Sequence, residues 1–230
     1  MKIKKPYRFL LALIILLFLV SGCSWFKSPK DELEIPPKAL IEEGLKQLKA
    51  ERYESAIQTF QKLKDRHPYS RYAVLAELKL ADARYLRKDY IEAIEAYKNF
   101  EMLHPKNEAI PYVIFQQGMC YYNQIKTPDR EKTPALKAAQ TFHRLRQSYP
   151  QSKYAALAEP YLIEAQNQLA GHEFYVAKFY FKKKAYRAAL GRFINLIKSY
   201  PDTGYHGKAM AYIRICQEKL AGEAKEKQGQ

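Results

Sequence analysis

The chain has 230 residues, 47% of them hydrophobic and 27% charged, which is enough to bury a substantial core. Its net charge of +15 favours nucleic acid, anionic lipid or an acidic protein as a partner and disfavours basic ones. With 9 glycines against 19 tyrosines, and no stretch that alternates like a strand, the β classes are excluded and an all-α fold is expected.

Residues 1–22 read as a secretory leader. Lys2, Lys4, Lys5 and Arg8 form a positive end, and Phe9 to Val20 is an unbroken apolar run. That run is too short to span a bilayer, which takes about 20 residues, and suits the core of a signal peptide. It ends in Val20-Ser21-Gly22-Cys23, and small residues directly before a cysteine resemble the bacterial lipobox. The resemblance implies a diacylglycerol on the Cys23 thiol, cleavage before it and acylation of the new amine. Each buried methylene of such an anchor contributes about 0.8 kcal/mol. Ser24 stands where an aspartate retains many lipoproteins at the inner membrane, so the outer membrane is expected. A secreted chain leaves no role for nucleic acid. Residues 23–37, with Pro36-Pro37, read as the lipidated end and a tether.

Helices then follow in pairs. Pro37–Lys49 is the first, with proline at a tolerated N-terminal position. Tyr53, Ala56, Ile57, Phe60 and Leu63 precede Pro68 in a pattern that returns three times. Tyr90, Ala93, Ile94, Tyr97 and Phe100 stand at the same offsets before Pro105. Ala135, Ala138, Ala139, Phe142 and Leu145 do so before Pro150, and Tyr186, Ala189, Leu190, Phe193 and Leu196 before Pro201. Offsets of three and four place each set on one helix face, with the alanine at a close helix contact and the aromatic beside it. The proline stops each unit. The phrase resembles the second helix of a tetratricopeptide (TPR) repeat, whose first helix carries a small residue, here Gly44 and Ala81. The resemblance implies a right-handed solenoid of about five helix pairs.

The expected helices are Tyr53–His67, Arg71–Arg87, Tyr90–His104, Pro111–Ile125 and Pro134–Tyr149, with Lys126–Thr133 an exposed insertion. Ser152–Leu169, carrying Pro160 and ended by Gly171, is followed by His172–Lys184, Tyr186–Tyr200 and Tyr205–Leu220, ten helices in all. Residues 38–150 make the N-terminal repeats, 151–222 the C-terminal repeats and 223–230 a polar tail expected to fray.

Leu169-Ala170-Gly171-His172-Glu173-Phe174-Tyr175-Val176-Ala177-Lys178-Phe179-Tyr180, the later Ser199-Tyr200-Pro201-Asp202-Thr203, and Asp129-Arg130 before Pro134 resemble the BamD family, the TPR lipoproteins of the β-barrel assembly machinery (BAM complex). The resemblance implies an outer membrane protein assembly factor, a periplasm-facing scaffold held by its lipid in the inner leaflet of the outer membrane. It implies C-terminal repeats that bind the periplasmic domain of BamA and N-terminal repeats that receive unfolded outer membrane proteins. Secretin pilotins and organisers of peptidoglycan synthesis or cell division share the repeats but are not matched by the Leu169–Thr203 segment.

No chemistry is expected. His67 and His104 recur before the repeat prolines, no histidine spacing suits a metal, and no glycine-rich phosphate loop exists, so neither enzyme, cofactor nor metal is anticipated. Cys120 and Cys216 read as small buried hydrophobes. If first helices line the groove, the substrate face holds Ile41, Leu45 and Leu48, then Leu75, Leu78 and Tyr85, then Tyr112, Phe115, Met119 and Tyr122. A basic cluster of Lys178, Lys182, Lys183, Lys184, Arg187 and Arg192 marks the other end. Arg192 lies among inward-packing neighbours, and its guanidinium cannot join them without a partner, so a rim position is expected. The family resemblance implies that Arg192 contacts the barrel subunit, and Arg187 of the same basic cluster is expected beside it.

Overall fold

The structure, a computed structural model, describes residues 35–228. Residues 1–34, with the leader and Cys23, lie outside the described residues. Nine helices occupy the body from Pro37 onward, with no strand among the described residues. They are α1 (Pro37–Lys49), α2 (Tyr53–Arg66), α3 (Ala73–Leu86), α4 (Tyr90–Leu103), α5 (Ile110–Tyr122), α6 (Thr133–Ser148), α7 (Lys153–Lys182), α8 (Tyr186–Ser199) and α9 (His206–Gln228). Each packs on its neighbours in sequence, and α5 also reaches α7. This is the layering of an all-α, TPR-like solenoid, in which the core lies between successive helices.

The prolines set the joints. His67, His104, Tyr149 and Tyr200 each precede a repeat proline, and each has left the helical region, with φ from −127° to −137° and ψ from 53° to 61°. A following proline ring bars the helical conformation, so the helix ends there, and the N–H of each of these residues closes on the carbonyl of Leu63, Phe100, Leu145 or Leu196. The tight turns inside the pairs use another device. Glu51, Lys88 and Lys184 have φ of 58°, 71° and 60°, left-handed positions two residues before Tyr53, Tyr90 and Tyr186. The turn between α7 and α8 thus copies the turns of the first two pairs.

A small residue on the first helix meets a buried aromatic on the second. A Cβ on Gly44 would stand 2.4 Å from the Phe60 ring, and one on Gly118 would stand 2.3 Å from Phe142. Ala81 and Tyr97 are both fully buried in one cluster, as are Ala177 and Phe193 in another.

Two boundaries differ from expectation. Gly171 does not end a helix: the two helices expected at Ser152–Leu169 and His172–Lys184 are the single rod α7, so nine helices replace ten. Pro160 is accommodated because it lies on the exposed face, as does Ala156, whose carbonyl the ring leaves unpaired. Gly171 is buried because two groups close on it: an added Cβ would stand 2.8 Å from the Tyr205 hydroxyl and 3.1 Å from Pro128. Its glycine is there for close approach. At the far end α9 continues past Gly222 to Gln228, since one helical glycine costs only about 1 kcal/mol and the residues around it are good helix formers.

Candidate functional site

The N-terminal wall divides by burial. Ile41 and Leu78 are core residues, which removes them from any open surface. Leu45 and Leu75 are 36% and 39% exposed, and Leu48, Tyr85, Tyr112, Phe115, Met119 and Tyr122 are half-buried. The α5 aromatics are engaged by α7. Phe115 lies 5.9 Å from Tyr154 and 6.1 Å from Tyr161, Tyr112 lies 5.4 Å from Tyr154, and Tyr122 meets Tyr161 edge-on at 5.0 Å. The Tyr112 hydroxyl donates to Asp82 Oδ1 at 2.8 Å, and the Tyr85 hydroxyl accepts from Asn123 Nδ2 at 3.0 Å. These rings are therefore partly taken up by packing and hydrogen bonds and partly open.

Beside Tyr122 and Asn123 opens a cavity of about 530 Å³, floored by Glu164 and Gln168 of α7 and rimmed by Ile125 to Pro128. Gln168 Nε2 donates to Glu164 Oε1 at 3.1 Å, which fixes the amide's orientation. Gln168 Oε1 is then a buried acceptor without a partner, the one such side-chain atom among the described residues. Sequence reasoning missed this corner because Gln168 read only as a residue near the end of a helix.

At the other end the insertion is seated on α7. His172 Nδ1 lies 2.9 Å from the Pro128 carbonyl oxygen, next to the Gly171 contact. Lys132 Nζ donates to Glu173 Oε1 at 2.9 Å, and Arg192 Nη1 donates to Glu173 Oε2 at 3.2 Å. The Arg192 guanidinium also lies 5.4 Å from the centre of the Tyr180 ring. Burial alone would raise the Glu173 carboxyl. The Lys132 hydrogen bond and charge, with Arg192 and His172, outweigh it and hold the group below its usual value. Arg192 is half-buried and Arg187 exposed. The loop expected to be exposed is mostly exposed, and it is also fastened to α7 through Pro128 and Lys132. The signal was in the sequence, because Gly171-His172-Glu173 is the dock, but nothing in the spacing pointed to Pro128.

Among the described residues no group of three or more His, Cys, Asp or Glu side chains gathers to hold a metal, and no helix is long and apolar enough to cross a membrane. Cys120 and Cys216 are buried free thiols in different clusters. Burial pushes the Cys120 thiol up to about 12, out of reach of ordinary thiolate chemistry.

Comparison with known proteins places this geometry. The model of the YfiO family, described as outer membrane lipoprotein, matches residues 33–230. Three relatives carry the name outer membrane protein assembly factor BamD. That of Rickettsia prowazekii is 31% identical over 220 residues, covering 95% of this chain and 86% of its own. That of Vibrio cholerae is 30% identical over 200 residues, 83% of this chain and 82% of its own. That of Neisseria meningitidis serogroup A is 30% identical over 191 residues, 79% and 72% respectively. The name is that of an assembly factor and not of an enzyme. With a solenoid of paired helices and a family match over nearly all of its length, the chain belongs to the YfiO family of outer membrane lipoproteins.

Proposed function

We propose that the chain is an assembly factor for outer membrane β-barrel proteins, working as a scaffold of the BAM complex. It is anchored through Cys23 in the inner leaflet of the outer membrane and faces the periplasm. Its C-terminal repeats, at residues 151–222, bind the periplasmic domain of BamA, with Arg192 and Arg187 at the contact. Its N-terminal repeats, at residues 38–150, receive unfolded outer membrane proteins along Leu45, Leu48, Leu75, Tyr85, Tyr112, Phe115, Met119 and Tyr122.

The observation that carries this reading is the likeness to proteins named BamD along nearly the whole chain, C-terminal segment included. The structure supports the division of labour. Half-buried aromatics beside an open cavity suit the apolar side chains of an extended polypeptide. A guanidinium at a rim, with donors to spare, suits an acidic side chain.

Capture of the tagged chain from detergent-solubilised membranes tests the whole. A barrel subunit with tandem periplasmic domains is expected as the dominant partner, and Arg192→Glu is expected to reduce its recovery while the circular dichroism stays unchanged. Recovery of a secretin or of peptidoglycan synthases in place of the barrel subunit rejects the proposal. For the groove, photo-crosslinkers at Tyr85 and Phe115 are expected to capture unfolded outer membrane proteins. Capture only from positions beyond Gly171 reverses the assignment of the two ends.

A further inference from the structure

We infer that the exposed stripe of α7 formed by Tyr175 and Phe179, with Lys178, Lys182 and Lys183 around it, lies on an anionic phospholipid bilayer. The inference rests on the reading that Cys23 anchors the chain in a membrane, and gives the folded body a contact of its own with that membrane.

Helix geometry aims the stripe away from the protein. At about 100° per residue, Tyr175 and Phe179 stand about 40° apart on α7. Ala177, buried with Phe193 and Ala209, stands about 160° from both and marks the inward face. The two rings are accordingly 54% and 52% exposed. Lys178 and Lys182 border the stripe on one side and Lys183 on the other. Lys183 Nζ lies 5.9 Å from the centre of the Phe179 ring, and Lys178 Nζ lies 5.8 Å from that of Phe174. Such stems run along apolar surface while the ammonium heads stay in water. α7 ends at Lys182, and the chain turns at Lys184 with φ of 60°, which leaves Lys182 to Lys184 as an exposed corner.

The charge here is one-sided. Between Phe174 and Gln217 nine lysines and arginines stand against a single acid, Asp202. That acid lies past the far end of α8, a helix length of about 21 Å away. Glu173 is taken up by Lys132 and Arg192 on the other flank of α7. Beyond Gln217, α9 carries as many acids as bases and adds no net charge. Among the described residues, none of Lys178, Lys182, Lys183 and Lys184 forms an ion pair.

The choice of cation separates a bilayer from an acidic protein. Protein interfaces are depleted in lysine and enriched in arginine. Helices that lie on membranes combine lysine with aromatic rings held at the level of the headgroups. Every cation bordering this stripe is a lysine. Attraction to anionic lipid adds with each charge, and a lipid anchor on the same chain makes the second contact intramolecular, so little affinity of its own is needed.

The test uses the full lipidated chain in vesicles of phosphatidylethanolamine and phosphatidylglycerol that carry a spin-labelled quencher at headgroup level. An aromatic, environment-sensitive fluorophore is attached at Tyr175→Cys or, in a second sample, at Met102→Cys on α4, where the native side chain is 70% exposed. Cys120 and Cys216 are buried and do not compete for the label. Quenching is expected to be several-fold stronger at position 175 than at position 102. It is expected to fall several-fold when phosphatidylcholine replaces phosphatidylglycerol, at raised salt, and in the combined Lys178→Gln, Lys182→Gln, Lys183→Gln variant. That variant is expected to keep its melting temperature, because none of the three lysines is buried. Equal quenching at both positions, or quenching at position 175 that ignores lipid charge, overturns the inference. So does a probe at position 175 that is shielded only when the periplasmic domain of BamA is added, which makes the face a protein contact. Trp25, the chain's one tryptophan, stands two residues after Cys23 and reports the anchor in the same vesicles. Quenched Trp25 with an unquenched probe at position 175 overturns this inference alone and leaves the anchor reading in place. Unquenched Trp25 removes the anchor reading and this inference with it.

Discussion

Asp82 is an acid on the inner face of α3, where its neighbours are Leu78, Leu80, Ala81 and Ala83, all buried. Burying a charge is costly unless it is paired, and here three donors meet it. Tyr97 and Tyr112 each donate a hydroxyl to Oδ1 at 2.8 Å, and Lys79 donates to Oδ2 at 2.7 Å. Burial first, and the Asp82 charge second, push both tyrosine hydroxyls well up, so they stay protonated as donors. Tyr97 is the repeat aromatic of its unit, and the network ties three helices through it. Asp82→Ala leaves two hydroxyls and an ammonium without their acceptor and is expected to destabilise by about 3–5 kcal/mol, with Asp82→Asn milder. Urea denaturation of the two variants checks this, and equal midpoints reject the network. The sequence showed an acid within an apolar run but not its partners, because Tyr97 and Tyr112 come from separate helices.

The same scale sets the response to acid. Burial would raise the Glu101 carboxyl, but Arg144 and Gln117 hydrogen bonds and the Arg144 charge hold it below its usual value, as Lys132 and Arg192 do for Glu173. When the folded value is the lower one, the unfolded chain takes up protons first as pH falls. The stability from these two groups is therefore complete above the ordinary glutamate value of about 4.3 and drains as pH falls through the folded values. Glu101→Gln with Glu173→Gln is expected to lower the melting temperature at pH 7 and to flatten its fall below pH 4.3, the reference value for glutamate. A fall as steep as in the unaltered chain locates the acid sensitivity elsewhere.

At the scale of the element, the repeat register was legible because each second helix carries its whole pattern in sequence. Ala56, Phe60 and Leu63, like Ala189, Phe193 and Leu196, are fully buried as that pattern requires. The repeat pattern placed Gly44 against its aromatic, but the meaning of the other glycines was not legible, since the sequence does not say what faces them. Gly171 read as a stop and is a contact. Gly118 lies against Phe142, and Gly191 has nothing within 4 Å of an added Cβ. Replacing both by alanine separates the two cases. Gly191→Ala on α8 gains helix propensity and is expected to stabilise by about 0.5–1 kcal/mol. Gly118→Ala gains the same propensity but must displace a ring held by Phe115 and Tyr161, so it is expected to lose about 1–3 kcal/mol. Melting curves that shift in the same direction for both reject the close contact as the reason for glycine.

Across the whole molecule α7 is the shared beam. Its first half belongs to a cluster running from Leu78 to Leu169, which includes Phe142 and Leu162. Its second half belongs to another, of Ala177, Phe193, Ala209, Ile213 and Cys216, sheathed by Phe174, Tyr205 and Tyr212. The insertion crosses the beam where the clusters meet, with Pro128 against Gly171 and its carbonyl at His172, and Tyr205 closes on the same glycine from the start of α9. Stability in a solenoid is a sum of neighbour terms, so a fault here should stay local. Gly171→Val puts a branched side chain where a single Cβ already stands 2.8 Å from the Tyr205 hydroxyl and 3.1 Å from Pro128. The insertion and Tyr205 must then give way, while α1 to α4, packed among themselves, keep their contacts. Hydrogen exchange is expected to accelerate in residues 126–132 and across α8 and α9, with protection in α2 and α4 unchanged. Uniform acceleration along the chain means that the two clusters unfold as one unit. No acceleration means that the insertion and Tyr205 are not held at Gly171.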